Sequence, residues 1–493
     1  MRALFVLPLL ASVAACTVGP DYAGPPKVAS AAAERGRFVR AEDQSVTPAP
    51  GIARWWETLG DPTLTTLVDE ALAGSPTIDA AQGRVREAQA RIDQGRANLL
   101  PNFSLAPSYI HATLPGVGIG NSSDSGSGSG DGSGSSTDTL NFYNLAANAS
   151  WEPDIFGGKR RSLEAARATL QQRYADLADA QVSLSAQVAQ TYVNLRDAQA
   201  RVRLNARSTA LQSQALELTR QRFAAGTASR LDVERLESEV RSTDAQNIPL
   251  TAQVAMYKDA LAVLTGRTPG ELDATLDVPE GSVPAIPLPP ASVPIGDPAA
   301  LIAHRPDVRA AERALAASTA NIGAKRAQMF PSVKFTGMLG TGGTSIGDVV
   351  DSSSLFTLLT PQLNWSFLDF GRNRAALHEA QAQRDTAEAQ YRQSVLEALQ
   401  DAEDSLARFG ATRRQLAGLA GAERSADIAA TLSRQRFAAG TGTLIDQLDV
   451  ERRQLSASSA VIQSTAALTV DYIAIQKALG LGWSEPQKAQ PAQ

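Results

Sequence analysis

The sequence predicts a mostly α-helical chain with a small share of β-strand, built as two copies of one unit. Each unit is a helix, two strands and a long helical hairpin. Three observations carry this. Arg220-Gln221-Arg222-Phe223-Ala224-Ala225-Gly226-Thr227 recurs letter for letter at 434–441, and Trp151…Phe156-Gly157 recurs as Trp365…Phe370-Gly371 at the same offset. The Ala-, Gln-, Arg- and Leu-rich tracts 160–223 and 373–437 contain no proline, as long helices require. Two short stretches in each copy alternate apolar and polar residues at period two, the mark of strands with one apolar face.

The N-terminus reads Met1-Arg2, an apolar run from Ala3 to Ala15, then Cys16. A charged start and a short apolar stretch form a signal peptide over 1–15, too short to span a bilayer as a helix. Val13-Ala14-Ala15-Cys16 resembles a bacterial lipobox, and Cys16 is the sole cysteine. The expectation is a chain lipidated at Cys16 and held to a membrane by acyl groups; the alternative is an ordinary signal peptide with an incidental cysteine. Thr17, where an Asp would resemble an inner-membrane retention signal, favours the outer membrane. Residues 16–60 read as a lipidated, extended arm. No other window reaches 18 consecutive apolar residues, so any crossing of a membrane falls to strands.

Repeat 1 spans 61–266 and repeat 2 spans 298–480, joined by a Pro-rich linker at 267–297. Ile92…Pro101 recurs as Ile322…Pro331, at a larger offset than the other two matches. The excess falls between Pro101 and Trp151, where the first copy carries the Gly/Ser/Asp tract 120–136. Helices run from Pro76 to Leu100 and from Pro306 to Phe330, proline being at home in a first turn and a stop signal just beyond a last one. Strands follow at 102–112 and 140–152, then at 332–342 and 356–367. Phe103, Leu105, Tyr109, Tyr143, Leu145 and Trp151 in the first copy, and Val333, Phe335, Leu339, Leu363, Trp365 and Phe367 in the second, all fall at odd positions. Hairpins occupy 158–266 and 372–480, their outgoing helices reversing at Gly226 and at Gly440–Gly442. The return helices are expected over 231–264 and 444–479, with Pro249 kinking or interrupting the first. The tail occupies 481–493, and its polar stretch from Pro486 to Gln493 is expected to be disordered.

Four strands cannot close a barrel, and an open edge is not tolerated in lipid. The strands either form a soluble sheet or complete a barrel with other copies, under closed cyclic symmetry.

Composition excludes several functions. With 46 basic and 51 acidic residues the net charge is −5, unsuited to nucleic acid. One cysteine and 3 histidines leave no Cys-based metal centre and no His-rich one. No nucleotide or zinc-protease motif is present, and Gly116-x-Gly118-x-Gly120 has no helix to open. No enzyme activity, cofactor or metal is expected.

With these units in place, the chain resembles the TolC-like outer-membrane efflux channels, in the lipoprotein branch that serves resistance–nodulation–division pumps. The resemblance covers nearly the whole mature chain. It is carried by Trp55-Trp56 with Asp61-Pro62, by His304-Arg305-Pro306-Asp307-Val308 with Ala311-Glu312, by Ile322 to Pro331, and by the two Phe-Ala-Ala-Gly-Thr turns. It implies a homotrimer with a twelve-stranded membrane β-barrel and an α-helical periplasmic tunnel. It also implies a periplasmic adaptor protein docked at the hairpin tips, an inner-membrane pump beyond it, and the outer membrane of a Gram-negative bacterium as the location. The tract 120–136 would lie in the loop between the first two strands, where the family has a shorter one.

Asp446 and Asp449 are three apart at a helix start and share a face. Capping explains acids there; in a trimer they would also form two stacked carboxylate rings, which select cations and narrow a pore. The resemblance implies the second role, as the periplasmic gate. The first copy has Asp232 at the position of Asp446 but Arg235 at that of Asp449, so only the second builds the pair. Arg222, Arg230 and Arg436 could tie acids in the closed state, Asp232 among them. Phe223, Gly226 and Thr227, with Phe437, Gly440 and Thr441, are helix-end and packing residues on one reading and adaptor-docking tips on the other. Trp151, Trp365, Phe156 and Phe370 sit where strands become helices, as junction packing or as interfacial aromatics. Arg305-Pro306-Asp307 reads as structural.

The reading is a passive, gated export duct for drugs or other small molecules. The alternatives are a type I protein secretion duct and a lipid-anchored coiled-coil scaffold with no pore.

Overall fold

A computed structural model describes residues 17–41, 45–115, 137–279, 282 and 284–483. Cys16 and the tract 120–136 lie outside the described residues. In chain order the helices are α1 (Ser30–Arg35), α2 (Pro62–Gly74), α3 (Pro76–Ala97), α4 (Gly158–Ala224), α5 (Arg230–Leu264), α6 (Asp273–Leu276), α7 (Pro298–His304), α8 (Pro306–Ala327), α9 (Arg372–Ala438) and α10 (Leu444–Ala478). The strands are β1 (Val46–Thr47), β2 (Asn102–Pro115), β3 (Thr137–Trp151), β4 (Val293–Pro294), β5 (Ser332–Gly343) and β6 (Leu355–Asn364).

The two copies match in dimension as well as in order. α4 and α9 each have 67 residues, and α5 and α10 each have 35. At ~1.5 Å per residue each long helix is roughly 100 Å. α5 runs unbroken through Pro249, against the expected interruption. Buried Leu236 before the proline, and Leu250 and Leu261 after it, hold both halves in place, and packing outweighs the lost hydrogen bond.

The chain forms two compact units. Of the described residues, the first takes in 17–24, 88–115, 137–169 and 315–387 and contains a four-stranded antiparallel sheet in the order β2-β3-β5-β6. In every ladder odd residues face odd ones: Phe103 opposite Ala149, Trp151 opposite Phe335, Val333 opposite Leu363. One face therefore collects Phe103, Leu105, Tyr109, Leu339, Leu359 and Leu363, all exposed. The other carries Asn102, Ser104, Ser108, Asn144, Asn148, Ser150 and Gln362. β6 stops at Asn364, short of the expected 367, so Trp365 and Phe367 lie beyond it. Below the sheet the two tryptophans anchor alike: the Trp151 indole donates to the Leu99 carbonyl at 3.0 Å, and that of Trp365 to Met329 at 3.3 Å.

In this unit the arm is tied down at Arg161, whose guanidinium reaches Asp21 at 2.5 Å and Glu164 at 2.8 Å. Tyr22 packs on Ala168, Ala316 and Ala317.

The second unit takes in the described residues of 25–87, 170–314 and 388–483 and holds the main core. Trp55 and Trp56 meet edge to face at 5.7 Å, and Trp55 meets Tyr472 at 6.2 Å. All three are fully buried. Asp61 serves two neighbours. One oxygen accepts the Thr63 and Leu64 N–H groups at 2.9 and 3.1 Å, capping α2, and the other accepts the Tyr192 hydroxyl at 2.7 Å. Burial, followed by the bond to Asp61, pushes the Tyr192 phenol up to about 12. Arg196 donates to the same phenol oxygen from Nε at 3.0 Å and from Nη2 at 2.8 Å. Arm and linker meet here as well: β1 pairs in parallel with β4, Val46 opposite Val293. Arg305 takes a structural part. It pairs with Asp307 at 2.9 Å and Asp401 at 2.7 Å, and donates at 2.9 Å to the carbonyl of Ala478, the last residue of α10.

Candidate functional site

Both hairpins close with the same turn. Gly226 and Gly440 follow the ends of α4 and α9 with φ of 74° and 73°, a region costly for residues with a Cβ. The Thr227 N–H reaches back to the Arg222 carbonyl at 2.8 Å, and the Thr441 N–H to that of Arg436 at 2.9 Å. Both threonine hydroxyls add a bond to the same carbonyls, at 3.1 and 3.2 Å. The repeated octapeptide is thus, at the least, a helix-ending device that satisfies open carbonyls.

The return helices begin alike too. Ser229 and Thr443 accept the N–H of Asp232 and Asp446, each at 3.1 Å. The carboxylates answer, Asp232 accepting the Ser229 hydroxyl and Asp446 the Thr443 hydroxyl, each at 2.7 Å. The capping role open to these acids is therefore filled. Asp446 stays exposed nonetheless. Asp449 lies one turn further along α10, 2.9 Å from Arg453, with 48% and 77% of the two side chains exposed. An exposed i,i+4 pair contributes only ~0.3–0.5 kcal/mol, so the pair leaves the Asp449 carboxylate free to exchange partners. Arg235, at the matching position of the first hairpin, is exposed.

The hairpins part company at their phenylalanines. Leu216, Leu236, Leu444 and Leu448 form a buried cluster joining the two hairpins near their tips, with Phe437 packed against it. Arg222 covers the Phe437 ring, whereas Phe223 is 45% exposed. Arg452 reaches Glu239 at 3.5 Å from one hairpin to the other, and Arg220 pairs with Glu237 at 3.2 Å. Arg230 pairs with Glu234 at 3.5 Å on its own helix. Among the described residues neither Arg222, Arg230 nor Arg436 forms an ion pair with Asp232, Asp446 or Asp449.

Sequence reasoning placed the acids and the turns. It missed the leucine cluster and the Arg452–Glu239 link, whose only signal was apolar spacing on helices that carry apolar residues on several faces. Among the described residues no helix is long and apolar enough to cross a membrane, and no group of His, Cys, Asp or Glu could hold a metal ion.

Comparisons with known proteins agree over both repeats. The family described as outer membrane efflux protein matches residues 67–267 and 298–481. The pyoverdine export outer membrane protein OpmQ of Pseudomonas aeruginosa is 30% identical over 443 residues, 89% of this chain and 90% of that one. Nodulation protein T of Rhizobium leguminosarum bv. trifolii is 29% identical, covering 96% of each chain. Among solved structures, the outer-membrane channel OprN superposes with a TM-score of 0.83 at 32% identity, over 95% of this chain and 100% of that one. The MtrE outer membrane channel of Neisseria gonorrhoeae, in its open state, superposes with a TM-score of 0.80 at 28% identity, over 95% and 98% of the two chains.

Proposed function

Because the chain belongs to the outer membrane efflux protein family, we propose that it is a passive, trimeric export duct in the outer membrane, gated at its periplasmic end. The observation that carries this is the sheet: four strands with an apolar face exposed and both edges, β2 and β6, open. Lipid does not accept such edges, and three copies supply the twelve strands that close them. The long hairpins then line the periplasmic tunnel.

On this reading the duct has no catalysis and no energy source of its own. An inner-membrane pump drives export through a periplasmic adaptor. The export of pyoverdine and of toluene named for relatives points to small-molecule cargo. Cys16 carries the lipid anchor, detectable as added acyl mass on the mature N-terminal peptide. The adaptor docks at the tips, where the identical turns at Phe223, Gly226 and Thr227 and at Phe437, Gly440 and Thr441 recur around the ring.

Asp446 and Asp449 form the gate. Supporting this are the exposure of Asp446, the weakly held Asp449, and the loss of the second acid in the first hairpin. Ties from Arg222, Arg230 and Arg436 to these acids or to Asp232 would run between chains. The test is planar-bilayer conductance of the purified protein beside Asp446→Ala/Asp449→Ala. Small cation-selective steps that grow in the double variant are expected. Steps unchanged by the substitutions would move the gate elsewhere, and silence from both inserted proteins would end the channel reading in favour of a scaffold.

A further inference from the structure

The apolar face of the sheet ends in a row of aromatics with polar groups. Tyr109 stacks on Tyr143 with ring centroids 4.7 Å apart, and Tyr143 stands opposite Gly343. The Tyr109 hydroxyl and His111 Nδ1 both meet Asn141 Oδ1, at 2.9 and 2.7 Å. At the other end of the same face, beside the helices, stands Trp151. Such aromatics at both ends of an apolar band mark the two interfaces of a membrane barrel. The tyrosine row therefore marks the interface away from the helices.

The loop between β5 and β6 starts at this row and folds back over the apolar face. Gly343 and Thr341 are odd, like the apolar residues of that face. The place a Cβ would take at Gly343 holds the Asp348 carboxylate. The Thr341 hydroxyl donates to the Val349 carbonyl, and Thr341 itself stands between Leu145 and Leu355. The turn Ile346–Val349 is thus held on the side of the sheet that carries Leu339, Leu355 and Leu359. Its polar groups are satisfied locally. Asp348 accepts the Ser345 N–H at 2.9 Å, the Ser345 carbonyl accepts the Asp348 N–H at 3.1 Å, and Asp351 accepts the Ser353 N–H at 2.9 Å. Its apolar side chains have no such cover: Ile346 is 74% exposed, Val350 88% and Leu355 60%.

We propose that this loop rests on the outer leaflet of the membrane, with Ile346 and Val350 inserted among the acyl chains beside Leu355. Lipid is the occupant because the patch continues the face that the barrel turns to lipid: Leu355 belongs to β6 and to that face. Asp348 and Asp351 stand near the interface, where charged side chains cost least. The inference rests on the outer-membrane barrel reading above. It adds a lipid contact beyond the strands, and it draws this loop away from the mouth of the duct.

The placement is tested in the full-length protein reconstituted in phosphatidylcholine vesicles, with a nitroxide on single added cysteines. Wild type, carrying Cys16 alone, is the blank. Collisions with molecular oxygen, which concentrates in lipid, are compared with collisions with a water-soluble nickel chelate. Leu359→Cys, on the apolar face, sets the lipid value, and Ala225→Cys, exposed at a hairpin tip, sets the aqueous one. Ile346→Cys and Val350→Cys should both shift closer to the lipid value than to the aqueous one, with nickel collisions suppressed. Aqueous values at either position, with Leu359→Cys in lipid, would overturn the insertion and leave the barrel standing. An aqueous value at Leu359→Cys would overturn the barrel reading and the loop placement with it.

Discussion

Arg222 and Phe437 belong to different hairpins, and the guanidinium of the first lies 5.4 Å from the ring centroid of the second. The matching first-hairpin ring, Phe223, has no such cover among the described residues. Two identical octapeptides thus make unlike surfaces: one phenylalanine partly buried beneath a cation, the other open.

That contact should help hold the hairpins together. An exposed cation–π contact is worth ~0.5–1 kcal/mol, a factor of roughly two to five in an equilibrium. Arg222→Ala is therefore expected to raise the open fraction of single channels by about that factor, and Arg436→Ala to raise it less. Equal effects from both would remove any special role for the Arg222–Phe437 contact.

Capping and gating at Asp446 can be separated by charge. Asn keeps the side-chain acceptor for the Thr443 hydroxyl but loses the charge, and Thr443, the N-cap residue itself, is untouched. Asp446→Asn should leave the unfolding midpoint where it is and lower the cation selectivity read from reversal potentials in a salt gradient. A lower midpoint with unchanged selectivity would assign Asp446 to the cap alone.

The phenol of Tyr192 links Asp61 and Arg196 inside the second unit. Tyr192→Phe removes the donor to one Asp61 oxygen and the acceptor for Arg196 Nε and Nη2, while the other Asp61 oxygen keeps its two N–H groups and Arg196 keeps Gln199 at 2.9 Å. The expected loss is ~1–3 kcal/mol of stability, seen as a lower denaturant midpoint. Conductance should be preserved, since the residue lies far from the tips in sequence and in the core. Unaltered stability would mean that water replaces the hydroxyl.

Asp471 carries a pH signature. Burial raises its pKa above the ordinary value, while the Thr412 hydroxyl, bonded at 2.6 Å, and Arg408 oppose the shift. A carboxyl raised on folding binds its proton more tightly when folded. Its penalty is thus full above the folded pKa and disappears as pH falls below the unfolded value of ~3.9. Asp471→Asn should raise the unfolding midpoint at neutral pH, and the gain should fade towards acid. A gain independent of pH would point to packing instead.

Much of this was legible in the sequence because the repeat reads everything twice. Constant offsets set matching strands and helices side by side, and Gly226 and Gly440 announced turns that need positive φ. The strand ends were less legible: Trp365 and Phe367 keep the period of a strand, yet β6 stops before them with only one partner to hold it. Pro249 does not interrupt its helix, since a local penalty cannot register the leucines packed on either side of it. The β1–β4 pairing escaped notice because Val46-Thr47 and Val293-Pro294 are too short to show a period. The difference between Phe223 and Phe437 was invisible in principle, since identical segments differ only in their surroundings.

The equal helices, 67 residues out and 35 back in both copies, limit how such a chain can be altered. Deleting one residue from α4 would turn everything beyond it by about 100° and swing Leu216 out of its cluster with Leu444. Removing a whole turn would leave one hairpin short against its twin. Tolerated changes in length must come in near-whole turns and in both copies together, so two stretches of the gene far apart are bound to change as a pair.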